Sequence, residues 1–146
     1  MKMNVLYRSS SVMVSTKSFH KQLPHGNYYI GDICYVLRDD VFQDVWCRNN
    51  HCEPGYYEIE DGSFCVGTTA FGDGYYLGSD NERYPVDAGN IGIVSAGLID
   101  VGARFNKKHL HKFHGPVTFK WDGIGIFQVV CEADDYTLVI DTNDEH

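Results

Sequence analysis

The chain has 146 residues, a hydrophobic share of 43% and a formal net charge of −8 at pH 7. This length predicts one domain with its own core, since folding buries about 70% of the surface of such a chain. The acidic balance disfavours general binding to nucleic acid, and no apolar run approaches the roughly 20 residues of a membrane-spanning helix.

Five cysteines bear on the compartment and on metal binding. Their number is odd, and residues 1–15 lack the apolar core of a signal peptide, so we expect reduced thiols in the cytoplasm. One group of side chains could supply zinc ligands: Cys47, His51, Cys52 and Cys65. Structural zinc sites typically contain paired Cys-x2-Cys units, whereas the spacing here is Cys-x4-Cys. Packing or incidental thiols are therefore the favoured interpretation.

The first third of the chain predicts an arm, a strand and a helix. Residues 1–26 are polar and Ser-rich, which indicates an N-terminal arm or an edge strand. Residues 27–37, NYYIGDICYVL, predict the first firm strand, with a bulge or close backbone approach at Gly31. Residues 39–47 predict one short α-helix, because Phe42, Val45 and Trp46 recur at helical spacing.

The stretch 71–94, FGDGYYLGSDNERYPVDAGNIGIV, predicts three short strands separated by Gly and Asp turns. Two further hairpins are predicted around Asp61-Gly62 and Asp122-Gly123. A two-residue loop in the second hairpin would place Phe119 opposite Ile126, with Phe119 and its alternate neighbours in the core.

These elements predict a mainly β protein, built as an antiparallel β-sandwich or partly open barrel with one short α-helix. A single domain is predicted over residues 27–141, and residues 142–146 are predicted to form an acidic tail.

A basic segment spans residues 104–120, which hold five of the twelve Lys and Arg residues and no acid. Such a segment is either a solvated loop or an anion site, because Arg and Lys both bind phosphate. In the tyrosine pair of the stretch 71–94 one ring faces outward, where it could stack on a ligand. The predicted anion contacts are Arg104, Lys107, Lys108, His109 and His111, with Tyr75 or Tyr76 as the stacking surface.

A second candidate set of functional residues consists of three acids in glycine-containing turns, Asp32, Asp73 and Asp87. Asp next to Gly typically caps a turn by binding its own backbone, which is the favoured interpretation. The alternative is a metal site in which these three carboxylates join His109 and His111 and activate water for hydrolysis. No nucleophile motif is present, and we expect no cofactor.

The segments YYIGDICYVL at 28–37 and TTAFGDGYYLGSDNERYPVDAGNIGIV at 68–94, followed by Gly97-Leu98-Ile99, resemble a small, mostly uncharacterised all-β family of tailed phages and bacteria. The shared features are I-G-D-x-C-Y, G-D-G and D-x-G-x-I-G-I-V, and they cover about half of the chain. Ile33 stands where a Pro is expected and Ala88 where a Ser is common. The resemblance implies an all-β fold and a phage-encoded origin, and it carries no catalytic residues.

The sequence therefore predicts a non-enzymatic phage-type binding protein, for example a counter-defence protein, that captures a host protein or a small anionic nucleotide ligand. It would act in the host cytoplasm, away from membranes, and homo-oligomerisation is left open. The alternatives are the metal-dependent hydrolase and a structural or assembly component of a virion, whose exposed strand edges would serve as contacts.

Overall fold

The computed structural model describes residues 18–143, and within that range the chain forms eleven β-strands and one helix. The helix, α1, spans Val41–Arg48. Short 3-10 turns lie at Ile33–Tyr35, Ala96–Leu98, Lys107–His109 and Glu132–Asp134. The strands are β1 (Phe19–Leu23), β2 (Gly26–Gly31), β3 (Gly55–Ile59), β4 (Gly62–Thr68), β5 (Gly74–Leu77), β6 (Arg83–Val86), β7 (Asn90–Ser95), β8 (Leu110–Phe113), β9 (Val117–Trp121), β10 (Ile126–Cys131) and β11 (Tyr136–Asp141).

All strand pairs are antiparallel and form three sheets. A five-stranded sheet has the order β3-β4-β7-β2-β8, and a four-stranded sheet has the order β11-β10-β9-β1. Strands β5 and β6 form a separate hairpin. The predicted class, a mainly β sandwich with one short helix, is confirmed, since the two larger sheets of the described region remain separate and face each other.

The main core lies between the two larger sheets. Strands β2 and β7 contribute Ile30 and Ile93, and strands β9 and β10 contribute Phe119 and Phe127 from the opposite sheet, all with at most 1% exposure. Alternate residues such as Lys120 face solvent. This period of two is the pattern that the sequence predicted for β9.

A second core fills the other face of the five-stranded sheet, where the helix packs. Tyr29 and Val94 point to this side, while their strand neighbours point into the sandwich. Helix α1 contributes Val45 and Trp46 as buried residues and Phe42 as a partly buried one, as predicted. Its backbone is wound as a π-helix instead of the predicted α-helix.

One glycine of this sheet is required by close packing across the sandwich. A Cβ atom at Gly67 would lie 2.6 Å from the indole ring of Trp121. The same indole donates a hydrogen bond of 3.1 Å to the Thr68 carbonyl. The ring of β9 therefore lies directly on the backbone of β4, which a side chain would prevent.

Two predicted element boundaries were wrong. The first strand ends at Gly31 instead of Leu37, because Asp32 caps a 3-10 turn by accepting a hydrogen bond from the Cys34 amide. The β9–β10 hairpin pairs Phe119 with Val129 instead of Ile126. Its loop is longer than two residues, because the Asp122 side chain accepts hydrogen bonds from three successive backbone amides.

The predicted terminal segments lie partly within the described residues. Residues 19–23 form β1, which is an edge strand of the four-stranded sheet. Residues 1–17 and 144–146 lie outside the described range. Thr142, which the sequence assigned to the tail, is buried and accepts a hydrogen bond from the Ala70 amide.

Candidate functional site

The β5–β6 hairpin presents an exposed face with Tyr75, Leu77 and Arg83, and exposed Phe71 precedes it in the chain. We call these four residues the hairpin surface. The inward side chains of the hairpin, including Tyr84, belong to the main core. Tyr75 is 62% exposed, and the two apolar neighbours are also among the exposed large hydrophobic residues. The guanidinium carbon of Arg83 lies 5.6 Å from the centre of the Tyr75 ring, which holds that ring in a cation–π contact.

The basic segment lies partly against this hairpin. Lys108 forms an ion pair of 3.6 Å with Glu82, in the turn between β5 and β6. The Lys107 ammonium lies 4.4 Å from the centre of the Phe105 ring. Arg104 is exposed. The basic segment therefore contacts the hairpin turn through Lys108.

The structure divides the predicted anion set between the surface and the core. Arg104, Lys107, Lys108 and Tyr75 are exposed. By contrast, Tyr76 is 3% exposed and donates a hydrogen bond to the Gly72 carbonyl, so it offers no stacking face. The two histidines of that set are also turned inward.

We call His109 and His111 the imidazole pair. His109 is 3% exposed and stacks on Tyr84, with ring centres 4.3 Å apart. His111 is half-buried and stacks on Tyr136 and Phe113 at 5.4 and 5.8 Å. Both rings are turned inward, His109 from the 3-10 turn before β8 and His111 from β8 itself.

Each imidazole of the pair holds a buried Nε2 atom that has no hydrogen-bond partner among the described residues. Burial lowers the pKa of both rings, although nearby Asp80 opposes the shift. Asp80 also accepts a hydrogen bond of 2.6 Å from the Tyr84 hydroxyl. Asp80, the carboxylate that acts on both rings, is therefore itself bound to a tyrosine hydroxyl.

Two of the acids predicted to act together, Asp32 and Asp87, lie at a second place, which we call the Asp32 junction. Asp32 is fully buried at the end of β2. Its carboxylate accepts hydrogen bonds from the amides of Cys34, Asp87 and Ala88, at 2.8, 2.7 and 2.7 Å. One side chain thereby joins the turn after β2 to the turn before β7.

The exposed part of the junction is held by Tyr35, whose hydroxyl donates to Asp87 at 2.6 Å. Burial, followed by the charges of Asp32, Asp87 and Asp73, raises the pKa of the Cys34 thiol to about 12. This thiol is consequently a poor nucleophile at neutral pH. The junction has the hydrogen bonding of a structural joint, which is the interpretation that the sequence favoured.

Within residues 18–143, no three His, Cys, Asp or Glu side chains converge in a way that could hold a metal ion. Cys47 and Cys52 form a disulfide at the C-terminal end of α1, so the expectation of five reduced thiols was wrong for these two. Cys65 is buried in the main core, where burial raises its thiol pKa. The predicted cysteine group is therefore divided between a surface cross-link and the core.

No family model, curated protein or solved structure matches this chain. The resemblance to the phage and bacterial family stays a prediction. No helix within the described part of the chain has the length and apolar character needed to cross a membrane.

Sequence reasoning missed the ring stacks of the imidazole pair. A signal was available, since residues 109–113 read HLHKF and alternate between inward and outward positions. The prediction groups the histidines with the lysines as one basic surface. The alternation instead assigns the imidazoles to the side of Phe113 and the lysine to solvent.

Proposed function

We propose that this chain is a non-enzymatic binding protein of the phage–host type, which captures a host protein through the hairpin surface. The observation that supports this proposal is the exposed Tyr75 ring, fixed on an ordered strand by Arg83. Tyrosine and arginine are the residues that most often dominate binding energy in protein interfaces.

Two further features of the surface support a protein partner. Phe71 and Leu77 add exposed apolar area of the kind that marks interaction sites. The surface is cationic, because Arg83 carries an exposed positive charge within it and Lys108 contacts the turn of the same hairpin. The partner that fits best is therefore a host protein with an apolar patch bordered by acidic side chains.

A small anionic ligand is the second version of the same function. The two cation–π pairs, Arg83 with Tyr75 and Lys107 with Phe105, place positive charge next to ring faces. A nucleotide needs this combination of phosphate contacts and base stacking.

Affinity capture from host lysate tests the protein version. We expect the wild type to retain a partner that the double variant Tyr75→Ala/Arg83→Ala loses. A matched control, Val101→Ala/Lys120→Ala, removes one apolar and one basic exposed side chain elsewhere and should retain the partner. Equal capture by all three proteins would contradict the role of the hairpin surface.

Calorimetry with cyclic and linear nucleotides separates the two versions. Heat that disappears in Lys107→Ala/Lys108→Ala would support the small ligand. No heat with any nucleotide would remove that version and leave the protein partner. Mass measurement of the purified protein addresses the assembly alternative, since a virion component would form a large multimer instead of a 16.5 kDa species or a small oligomer.

A further inference from the structure

We propose that the imidazole pair is a proton-operated latch, in which protonation of His109 and His111 releases the β5–β6 hairpin from the sandwich. The opening concerns the free protein and requires no partner. Its effect on capture rests on the proposed function, because the hairpin surface is displayed by the strands that would move.

The latch is built from direct contacts between His109 and β6. The imidazole stacks on Tyr84 at an interplanar angle of 13°, which is close to parallel. The backbone of Arg83 also acts on this ring and favours its protonated form. His109 is therefore in contact with the strand that carries Arg83 of the hairpin surface.

The chemistry of the latch comes from the two Nε2 atoms. In the closed state each is buried without a hydrogen-bond partner among residues 18–143, so protonation would create a buried N–H without an acceptor there. Such a group is destabilising because its hydration is lost and not replaced. Opening the hairpin would remove Tyr84 from the face of His109 and give the Nε2 atom of that ring access to water.

The charged neighbours of the pair do not remove this penalty. Asp80 and Glu82 face His109 from the hairpin turn and favour its protonated form. However, Asp80 is bound by Tyr84 and Glu82 by Lys108. Burial outweighs both acids, so the pKa of His109 remains below its usual value.

His111 is opposed by its own partner in the pair. From β8 it faces His109, and a positive charge on either ring disfavours a charge on the other. Across the sandwich it faces Tyr136, a neutral phenol whose own pKa is raised by burial. Asp80 is the acid that favours the protonated form of this ring, and burial again outweighs it.

The direction of the pH effect follows from linkage. Solvated histidine has a pKa of about 6.5, and a ring that stays neutral in the closed state favours the open state below that value. Each such ring increases the opening equilibrium up to about tenfold per pH unit below 6.5. The hairpin is therefore closed at pH 7.5 and opens increasingly toward pH 5.

Amide hydrogen exchange of the free full-length protein tests the latch, with rates corrected for the intrinsic effect of pH. The expected result is that protection of residues 74–86 falls at least about tenfold more than that of β10 between pH 7.5 and 5.0. In His109→Phe/His111→Phe the two regions should change in parallel. The matched control His20→Phe/His25→Phe, which replaces exposed histidines, should behave like the wild type.

NMR titration of the wild-type imidazoles keeps the test valid if the Phe variant fails to fold. Two rings that titrate well below pH 6.5 together with loss of hairpin protection would support the latch. Protonation of both rings with the hairpin still fully protected would overturn it. Unchanged capture in host lysate by the Tyr75→Ala/Arg83→Ala variant would count against the proposed function alone, because exchange is measured without a partner.

Discussion

The Asp32 junction and the imidazole pair solve the same problem, the burial of an ionisable side chain, in opposite ways. Asp32 follows β2 and is surrounded by three amide donors. His111 lies on β8, opposite Tyr28 of β2, and its Nε2 has no partner among the described residues. Burial alone therefore does not determine how an ionisable side chain affects stability. A buried group with hydrogen-bond partners stabilises the folded state, whereas a buried charge without them destabilises it.

The largest effect is expected from removing the joint. Asp32→Ala should lower the free energy of unfolding by about 3 kcal/mol, because the amides of Cys34, Asp87 and Ala88 lose a charged acceptor together. Urea denaturation at pH 7.5 measures this change. Asp73→Ala is the matched control, since that carboxylate is exposed, and it should change stability by less than about 0.5 kcal/mol. Equal effects of the two variants would contradict the structural role of Asp32.

The second effect concerns pH and the imidazole pair. Both folded-state pKa values are lowered, so the unfolded chain binds more protons and stability falls as pH decreases through about 6.5. Between pH 7.5 and 5 we expect a loss of about 2 kcal/mol in the free energy of unfolding. Urea denaturation across this range measures the loss.

His109→Phe/His111→Phe should remove most of that pH dependence, while Asp32→Asn should leave it in place. The wild type and the double histidine variant are best compared between pH 5 and 7.5, because carboxylates with a lowered pKa, such as Asp122, titrate below this range. A variant without the imidazole pair that loses stability as steeply as the wild type would show that other groups bind the protons.

A smaller effect is expected at the exposed side of the junction. Tyr35→Phe removes the 2.6 Å hydrogen bond to Asp87 and leaves the three bonds of Asp32 in place. We expect a loss of about 1 kcal/mol, because Asp87 can bind water instead. Urea denaturation of Tyr35→Phe in the Asp87→Ala background should show no further loss, since the partner is already absent. An additive loss would mean that the ring acts by packing.

The sequence predicted the features that depend on local chemistry. The hairpin predicted around Asp61-Gly62 forms, although Ile59 pairs with Gly62 and its two-residue loop is therefore Glu60-Asp61. Tyr75 and Tyr76 face opposite ways, as predicted. The disulfide could not be predicted, because it depends on how the end of α1 brings Cys52 back toward Cys47. The bonds from Asp32 to the amides of residues 87 and 88 also depend on tertiary structure, since 55 residues or more separate the partners.

The smallest effect on stability is expected at the hairpin surface, and this absence of effect is informative. Tyr75 is 62% exposed, and its principal ring contact is Arg83. Tyr75→Ala should therefore change the free energy of unfolding by less than about 0.5 kcal/mol in urea denaturation. Tyr84→Ala, on the neighbouring strand but fully buried, should lower it by about 3 kcal/mol or more. If Tyr75→Ala were equally damaging, the ring would be part of the core packing, and the surface assigned to partner capture would lose its central residue.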